Sequence, residues 1–172
     1  MKENFPDAID LCLLDAMQTD ASRSNLELAR HCKVSPATAL RRVQALRTSG
    51  LIERQVALLQ PERLAEALGH GLTALVEISL DRQGAEHLDA FERFVLPQPE
   101  VQQCYRVSPG PDFVLVLAVR NMADYQACAQ RLFTQQANVR NVKAFFSVKR
   151  AKFEPAAPLP VPATPPRRPT SA

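Results

Sequence analysis

No stretch of this 172-residue sequence approaches the roughly 18 consecutive apolar residues that a membrane-spanning helix needs. The start, residues 1–10, is acidic and unlike a secretory leader, so a cytoplasmic protein is expected. Cysteine is sparse. Cys12, Cys32, Cys104 and Cys128 stand far apart, with no C-x-x-C pair to clamp zinc or run dithiol exchange, and each is expected to be a small, reduced, buried apolar residue. Histidine is equally scarce: His31, His70 and His87 fall on separate predicted elements, and none has a neighbouring serine or cysteine with an evident third partner. A G-x-x-x-x-G-K-[ST] loop and a G-x-G-x-x-G fingerprint are both missing, which removes the common nucleotide-binding arrangements. These absences point to a non-enzyme without metal or cofactor.

What is present is a local concentration of charge. The formal net charge of +3 is unremarkable by itself. Between positions 30 and 54, however, Arg30, Lys33, Arg41, Arg42, Arg47 and Arg54 face Glu53 alone, a net of +5, whereas the ten acids and ten bases of residues 61–150 cancel. A positive field confined to one segment is what a nucleic-acid-facing surface requires.

Periodicity divides the chain further. Residues 8–18 place Ile9, Cys12, Leu13, Ala16 and Met17 at helical spacing. After a polar break, Ser24-Asn25-Leu26-Glu27 matches a capping box that opens a short second helix ending near His31. Ser35 suits the N-cap of a third helix and Pro36 its first position; that helix runs to about Ser49, where Gly50 supplies a left-handed cap. Residues 51–59 read as a strand or short β-wing. Beyond a short helical linker the pattern changes to strand (72–80), helix (83–95), strand (101–108), strand (113–119), helix (123–133) and strand (139–148). This βαββαβ order is the ferredoxin-like unit. The expected class is α+β, with a winged helix-turn-helix over 1–60, a linker over 61–70, the βαββαβ domain over 71–153 and a Pro-rich disordered tail over 154–172. In that tail, Arg167 and Arg168 are candidates for phosphate contact or for no contact at all.

Three helices with a basic third form the arrangement that inserts the third helix into the major groove of double-stranded DNA. Counting 100° per residue gathers Pro36, Ala39, Val43 and Leu46 on one side and Thr38, Arg41, Ala45 and Thr48 on the other. Arg41 has the fork to pair with guanine O6 and N7, and Thr38 a hydroxyl and methyl for a neighbouring base edge. Arg42, on the flank, suits a phosphate. Ser24, Ser35, Pro36 and Ala37 lie near helix N-termini, where free N–H groups hold phosphate oxygens. Ala45, Arg47 and Arg54 complete the candidate DNA set. The alternative is an ordinary helical interaction module with a solvated basic face.

These residues resemble the Lrp/AsnC family of feast/famine regulators over nearly all of residues 8–152. Four stretches carry the resemblance: Ile9-Asp10 with Leu13-Leu14; Ser24 to Ala29; Ser35-Pro36 through Arg42-Val43 to Leu46 and Gly50-Leu51-Ile52; and Pro99-Glu100-Val101 through Cys104-Tyr105-Arg106-Val107 to Asp112-Phe113. The resemblance implies a regulatory domain that pairs through its sheets into homodimers, often assembling into octamers, with amino-acid effectors bound between subunits. By the same likeness Val107, Ser108, Gly110 and Asp112 would line the effector site, giving backbone groups and a carboxylate to an ammonium and carboxylate ligand.

Departures from the family pattern bear on that site. Pro109 stands where the family usually has glycine and provides no N–H for a ligand carboxylate. Ala144-Phe145 replaces a small polar pair. Both changes favour a larger, more apolar effector or none. Arg47 replaces the family's usual acidic residue, and Arg54-Gln55 replaces glycine and an aromatic, so the DNA half is the more basic for its changes. Two readings from other classes stay open: a tetrapyrrole-pathway decarboxylase of similar fold, and a metabolite-sensing oligomer that does not bind DNA.

Overall fold

A computed structural model describes residues 6–69 and 71–160. His70 and the tail from residue 161, with Arg167, Arg168 and the later prolines, lie outside the described residues. The chain forms two compact units, one running to Ala57 and including the segment from Phe153, the other spanning Leu58–Lys152.

The first unit holds α1 (Ala8–Thr19), α2 (Asn25–Cys32) and α3 (Pro36–Thr48). Each starts on a side-chain cap that satisfies otherwise orphaned N–H groups. Asp7 and Asp10 form a capping box on α1, and Ser24 and Glu27 form another on α2. Ser35 accepts from the Thr38 N–H with Pro36 at the first turn of α3. Gly50 closes the third helix at φ +80°, a region open to glycine. Leu13, Ala16, Met17, Leu28, Ala29, Ala39, Val43 and Leu46 meet in one core. Each fully buried leucine there contributes roughly 1.5–3 kcal/mol. Pro36, grouped with the packing side by its periodicity, is exposed because it begins the helix beyond the reach of that core.

Three expectations for this unit need correction. The wing over residues 51–59 is not a strand: residues 53–60 take no regular secondary structure and form no ladder with any described strand, since a β-prone segment becomes a strand only beside a second edge. Cys12 and Cys32 are not free thiols. They are joined in a disulfide with a Cα–Cα separation of 5.8 Å, because α1 and the end of α2 bring two positions 20 apart onto facing surfaces. The tail, expected to be disordered from 154, is placed as far as Pro160 and set against α1. Ala157 keeps an N–H between Pro155 and Pro158, which donates to Gln18 Oε1 at 3.0 Å, while Gln18 Nε2 donates to the Ala157 carbonyl at 2.9 Å.

In the second unit, α4 (Pro61–Leu68) precedes β1 (Leu72–Leu80), α5 (Ala85–Val95), β2 (Val101–Arg106), β3 (Phe113–Val119), α6 (Met122–Ala129) and β4 (Val139–Phe146). The sheet order is β2-β3-β1-β4, with every neighbouring pair antiparallel. This is the α+β, split βαβ arrangement expected from the element order. Strict alternation drives it. Ala74, Val76, Ile78 and Leu80 of β1 and Phe113, Leu115 and Leu117 of β3 are buried, packing with Phe91, Val95, Cys128, Leu132 and Phe133 from the helices, and Val119 is buried at the end of β3. A π-helical turn at Gln130–Thr134, which the sequence pattern did not announce, ends the second of those helices with Leu132 and Phe133 still inward.

The opposite sheet face carries apolar residues that no described residue buries. Register aligns Gln103, Val116, Leu75 and Phe145 in one cross-strand row and Tyr105, Val114, Glu77 and Lys143 in the next. Leu75, Tyr105 and Phe145 are 42%, 52% and 45% exposed.

Candidate nucleic-acid interface

The three-helix unit presents one face of α3 to solvent. Ala37, Arg41, Ala45 and Thr48 are exposed there, opposite buried Ala39, Val43 and Leu46. Leu40 is 51% exposed beside them. Thr38 is half-buried at the start of this face; its hydroxyl lies 2.8 Å from the Ser35 hydroxyl, so both side chains lock the first turn. Arg41 has no hydrogen-bond or ion-pair partner among the described residues, and the same holds for the side chains of Arg30 and Lys33. A charge held by none of the described residues, on an exposed helix face, is available to a base edge or a phosphate.

The other basic candidates are engaged. Arg42 does not face outward: its Nη1 donates to Asp7 at 2.7 Å and to Asp10 at 2.9 Å, tying α3 to the N-terminus of α1. Hydrogen bonds donated to Asp10 and then to Asp7 raise the pKa of the Arg42 guanidinium above its ordinary value. The reason is helix packing, which brings the acidic first turn of α1 against the flank of α3. Arg47 donates to the Gln55 side chain, and Gln55 donates in turn to the Ala21 carbonyl at 3.2 Å. Arg54 lies 3.8 Å from its neighbour Glu53, both exposed, a pair of little energetic weight. Ser24 donates to and accepts from Glu27, so its hydroxyl serves its own helix. Thus the six bases of this segment reduce to three free ones, Arg30, Lys33 and Arg41.

Lys33 is also a backbone finding. It sits at φ +55° in the turn joining α2 to α3, its N–H bonded to the Ala29 and Arg30 carbonyls. Left-handed geometry costs a lysine about 1–2 kcal/mol, and no turn residue in the sequence marked this site.

In the second unit, the β2–β3 turn brings Val107, Ser108, Gly110 and Asp112 together. Ser108 and Gly110 are exposed, Val107 and Asp112 half-buried. The Ser108–Pro109 peptide is cis, and Gly110 takes φ +126°, which only glycine adopts without strain. Val107 N–H donates to the Asp112 carbonyl at 3.1 Å and Asp112 N–H to the Ile78 carbonyl at 2.8 Å. Asp112 Oδ2 accepts from Leu80 N–H at 2.6 Å and from the Gln83 amide at 3.2 Å. One carboxylate oxygen therefore pins the loop to the end of β1. Ala144 faces the helix side of the sheet, and Phe145 the open side with Lys143 Nζ 4.8 Å from its ring centre.

Comparison with known proteins agrees with this geometry. Residues 7–47 match the AsnC-type helix-turn-helix domain, and residues 73–157 match the Lrp/AsnC ligand binding domain. An uncharacterised HTH-type transcriptional regulator of Haemophilus influenzae is 34% identical over 148 residues, covering 86% of each chain. The leucine-responsive regulatory protein of Rhizobium meliloti is 33% identical over 146 residues, 85% of this chain and 91% of that one. Among solved structures, a transcriptional regulator of Neisseria meningitidis in complex with L-Met superposes with a TM-score of 0.78 at 25% identity, covering 88% of this chain and 96% of the other.

Proposed function

This chain belongs to the Lrp/AsnC family of transcriptional regulators, and on that premise we propose how it reads DNA and what alters the reading. Arg41 makes the base contact, entering the major groove from α3, with Ala37, Ala45 and Thr48 on the same exposed face shaping the fit. Arg30 and Lys33 hold phosphates. The observation that carries this assignment is that Arg41 is exposed and unpartnered while its neighbour Arg42 is bound to two aspartates.

The effector is an amino acid or a close analogue, held by the turn of Val107, Ser108, Gly110 and Asp112. Support comes from the match to a ligand binding domain and from the neighbouring structure that contains L-Met. The loop is exposed at Ser108 and Gly110 and has, at Pro109, one N–H fewer than a glycine would give, which favours an apolar side chain on the ligand. The Leu75–Phe145 sheet face pairs with a second copy, since large apolar side chains exposed side by side are costly in water. The protein then works as a cytoplasmic homodimer or larger assembly on a pseudo-palindromic site. A regulator rather than an enzyme is the reading that the relatives' names support.

The test is binding to the DNA flanking the chain's own gene, titrated with salt and with a panel of amino acids. Salt-dependent, specific binding altered by one amino acid is expected. No binding at low salt overturns the reading.

A further inference from the structure

Cys12 and Cys32 join the middle of α1 to the last residue of α2. Cys32 immediately precedes Lys33 at φ +55°, and Ser35, three positions on, caps the helix that carries Arg41. The bond therefore grips the turn from which the recognition helix starts. Both cysteines are half-buried, with part of their surface left open to small oxidants and reducing thiols. We propose that this pair is a reversible oxidation site for hydroperoxides, and that closing the disulfide raises affinity for DNA.

Three observations support reversibility. The unit has an eight-residue apolar core besides the bond, with Cys32 packed at its edge, so it relies less on a covalent staple than the smallest disulfide-rich domains do. Disulfides in proteins that act on DNA in a reducing compartment are mostly redox-responsive rather than structural. The remaining cysteines, Cys104 and Cys128, form no disulfide, and desolvation pushes both thiols up, leaving them less thiolate to react.

The chemistry balances. One thiolate attacks the distal oxygen of the hydroperoxide, the O–O bond breaks, an alcohol (or water) leaves with a proton, and a sulfenic acid forms. The second thiolate then attacks that sulfur, the S–O bond breaks and, with a second proton, water departs. Two electrons pass from the two sulfurs to the peroxide. A dithiol reductant reverses the step by exchange, returning two electrons and two protons.

This proposal rests on the regulator reading above. Its test uses the full-length protein after hydrogen peroxide or after dithiothreitol, with free thiols counted by alkylation and mass spectrometry, and with binding measured to the DNA flanking its own gene. Oxidation is expected to remove two alkylatable thiols, map to a Cys12–Cys32 linked peptide, and tighten binding by about fivefold or more. The double variant C12S/C32S should remain at the reduced-state affinity in both conditions, while C104S/C128S should respond as the parent does. Melting curves identify a variant that fails to fold, and the parent in dithiothreitol supplies the reduced state without substitution. Persistence of both thiols in peroxide overturns the proposal, as does a linked peptide with equal DNA affinity in both states. Equal, measurable binding leaves the regulator reading standing, whereas loss of DNA binding in both states overturns the two together.

Discussion

The Nη1 atom of Arg42 lies 2.7 Å from Asp7 Oδ2, across 35 positions of sequence. Asp7 is at the same time the N-cap of α1, accepting from the Ile9 and Asp10 N–H groups through its other oxygen. One carboxylate thus starts the first helix and anchors the third. Replacing Arg42 with alanine is expected to lower the melting temperature by a few degrees, as an ion pair that is only partly shielded should. The slope of log affinity against log salt should not change. A slope reduced by about one unit would return Arg42 to the phosphate contacts.

Acid sensitivity follows from the same contacts. Hydrogen bonding from the Asp10 N–H, then from Arg42, holds the Asp7 carboxyl below its ordinary value, and the Ser24 hydroxyl and N–H do the same for Glu27. A carboxyl with a folded pKa below its unfolded one stabilises the fold above the unfolded pKa and loses that contribution as pH falls through the folded value. The three-helix unit should therefore weaken below the ordinary carboxylate range. Chemical denaturation at pH 7 and pH 3 should show it, with a smaller difference in Asp7→Asn.

Arg41→Ala should cost about 1–3 kcal/mol at a specific site and relax discrimination at one base position. Competition binding with single-base variants of the site measures this. Equal loss on random duplex would make Arg41 a phosphate contact instead.

Phe145→Glu places a charge next to Leu75, at the β4 end of the exposed sheet row that also holds Val116. Sedimentation velocity should show the assembly shifted toward monomer, with the far-ultraviolet spectrum unchanged. An unaltered sedimentation coefficient would exclude this face from the interface.

Gln18→Ala removes both hydrogen bonds to Ala157. Hydrogen exchange at the Ala157 amide should accelerate, since Gln18 Oε1 is the acceptor that the structure gives it. Unchanged exchange would mean the tail is held by other contacts.

Much of this architecture was legible because its signals are local. Ser24 with Glu27, Ser35 with Pro36, and Gly50 each act within one helical turn, and the alternation of β1 and β3 is written in consecutive residues. Ala39, Val43 and Leu46 were identifiable as the packed side of α3 from spacing alone, which left Arg41 outward. What was not legible depends on which surfaces meet. Arg42 has the same chemistry whether it faces a phosphate or two aspartates, and only the packing of α1 on α3 decides. Cys12 and Cys32 carry no motif at a separation of 20. Val56, Leu58 and Leu59 have strand propensity, but a strand also needs an edge to pair with. The β2–β3 turn stood out as a candidate site only through family likeness, since its pinning by Asp112 to the end of β1 spans 32 positions.

The bond between Gln18 and Ala157 also bears on how the chain is made. On a ribosome α1, α2 and α3 emerge first and hold enough apolar surface to associate early, yet the segment that lies against α1 is translated only after the whole of Leu58–Lys152. The three helices therefore complete their contacts in two stages separated by the synthesis of an entire second unit, and a chain interrupted within that unit would expose the bare surface of α1 around Gln18.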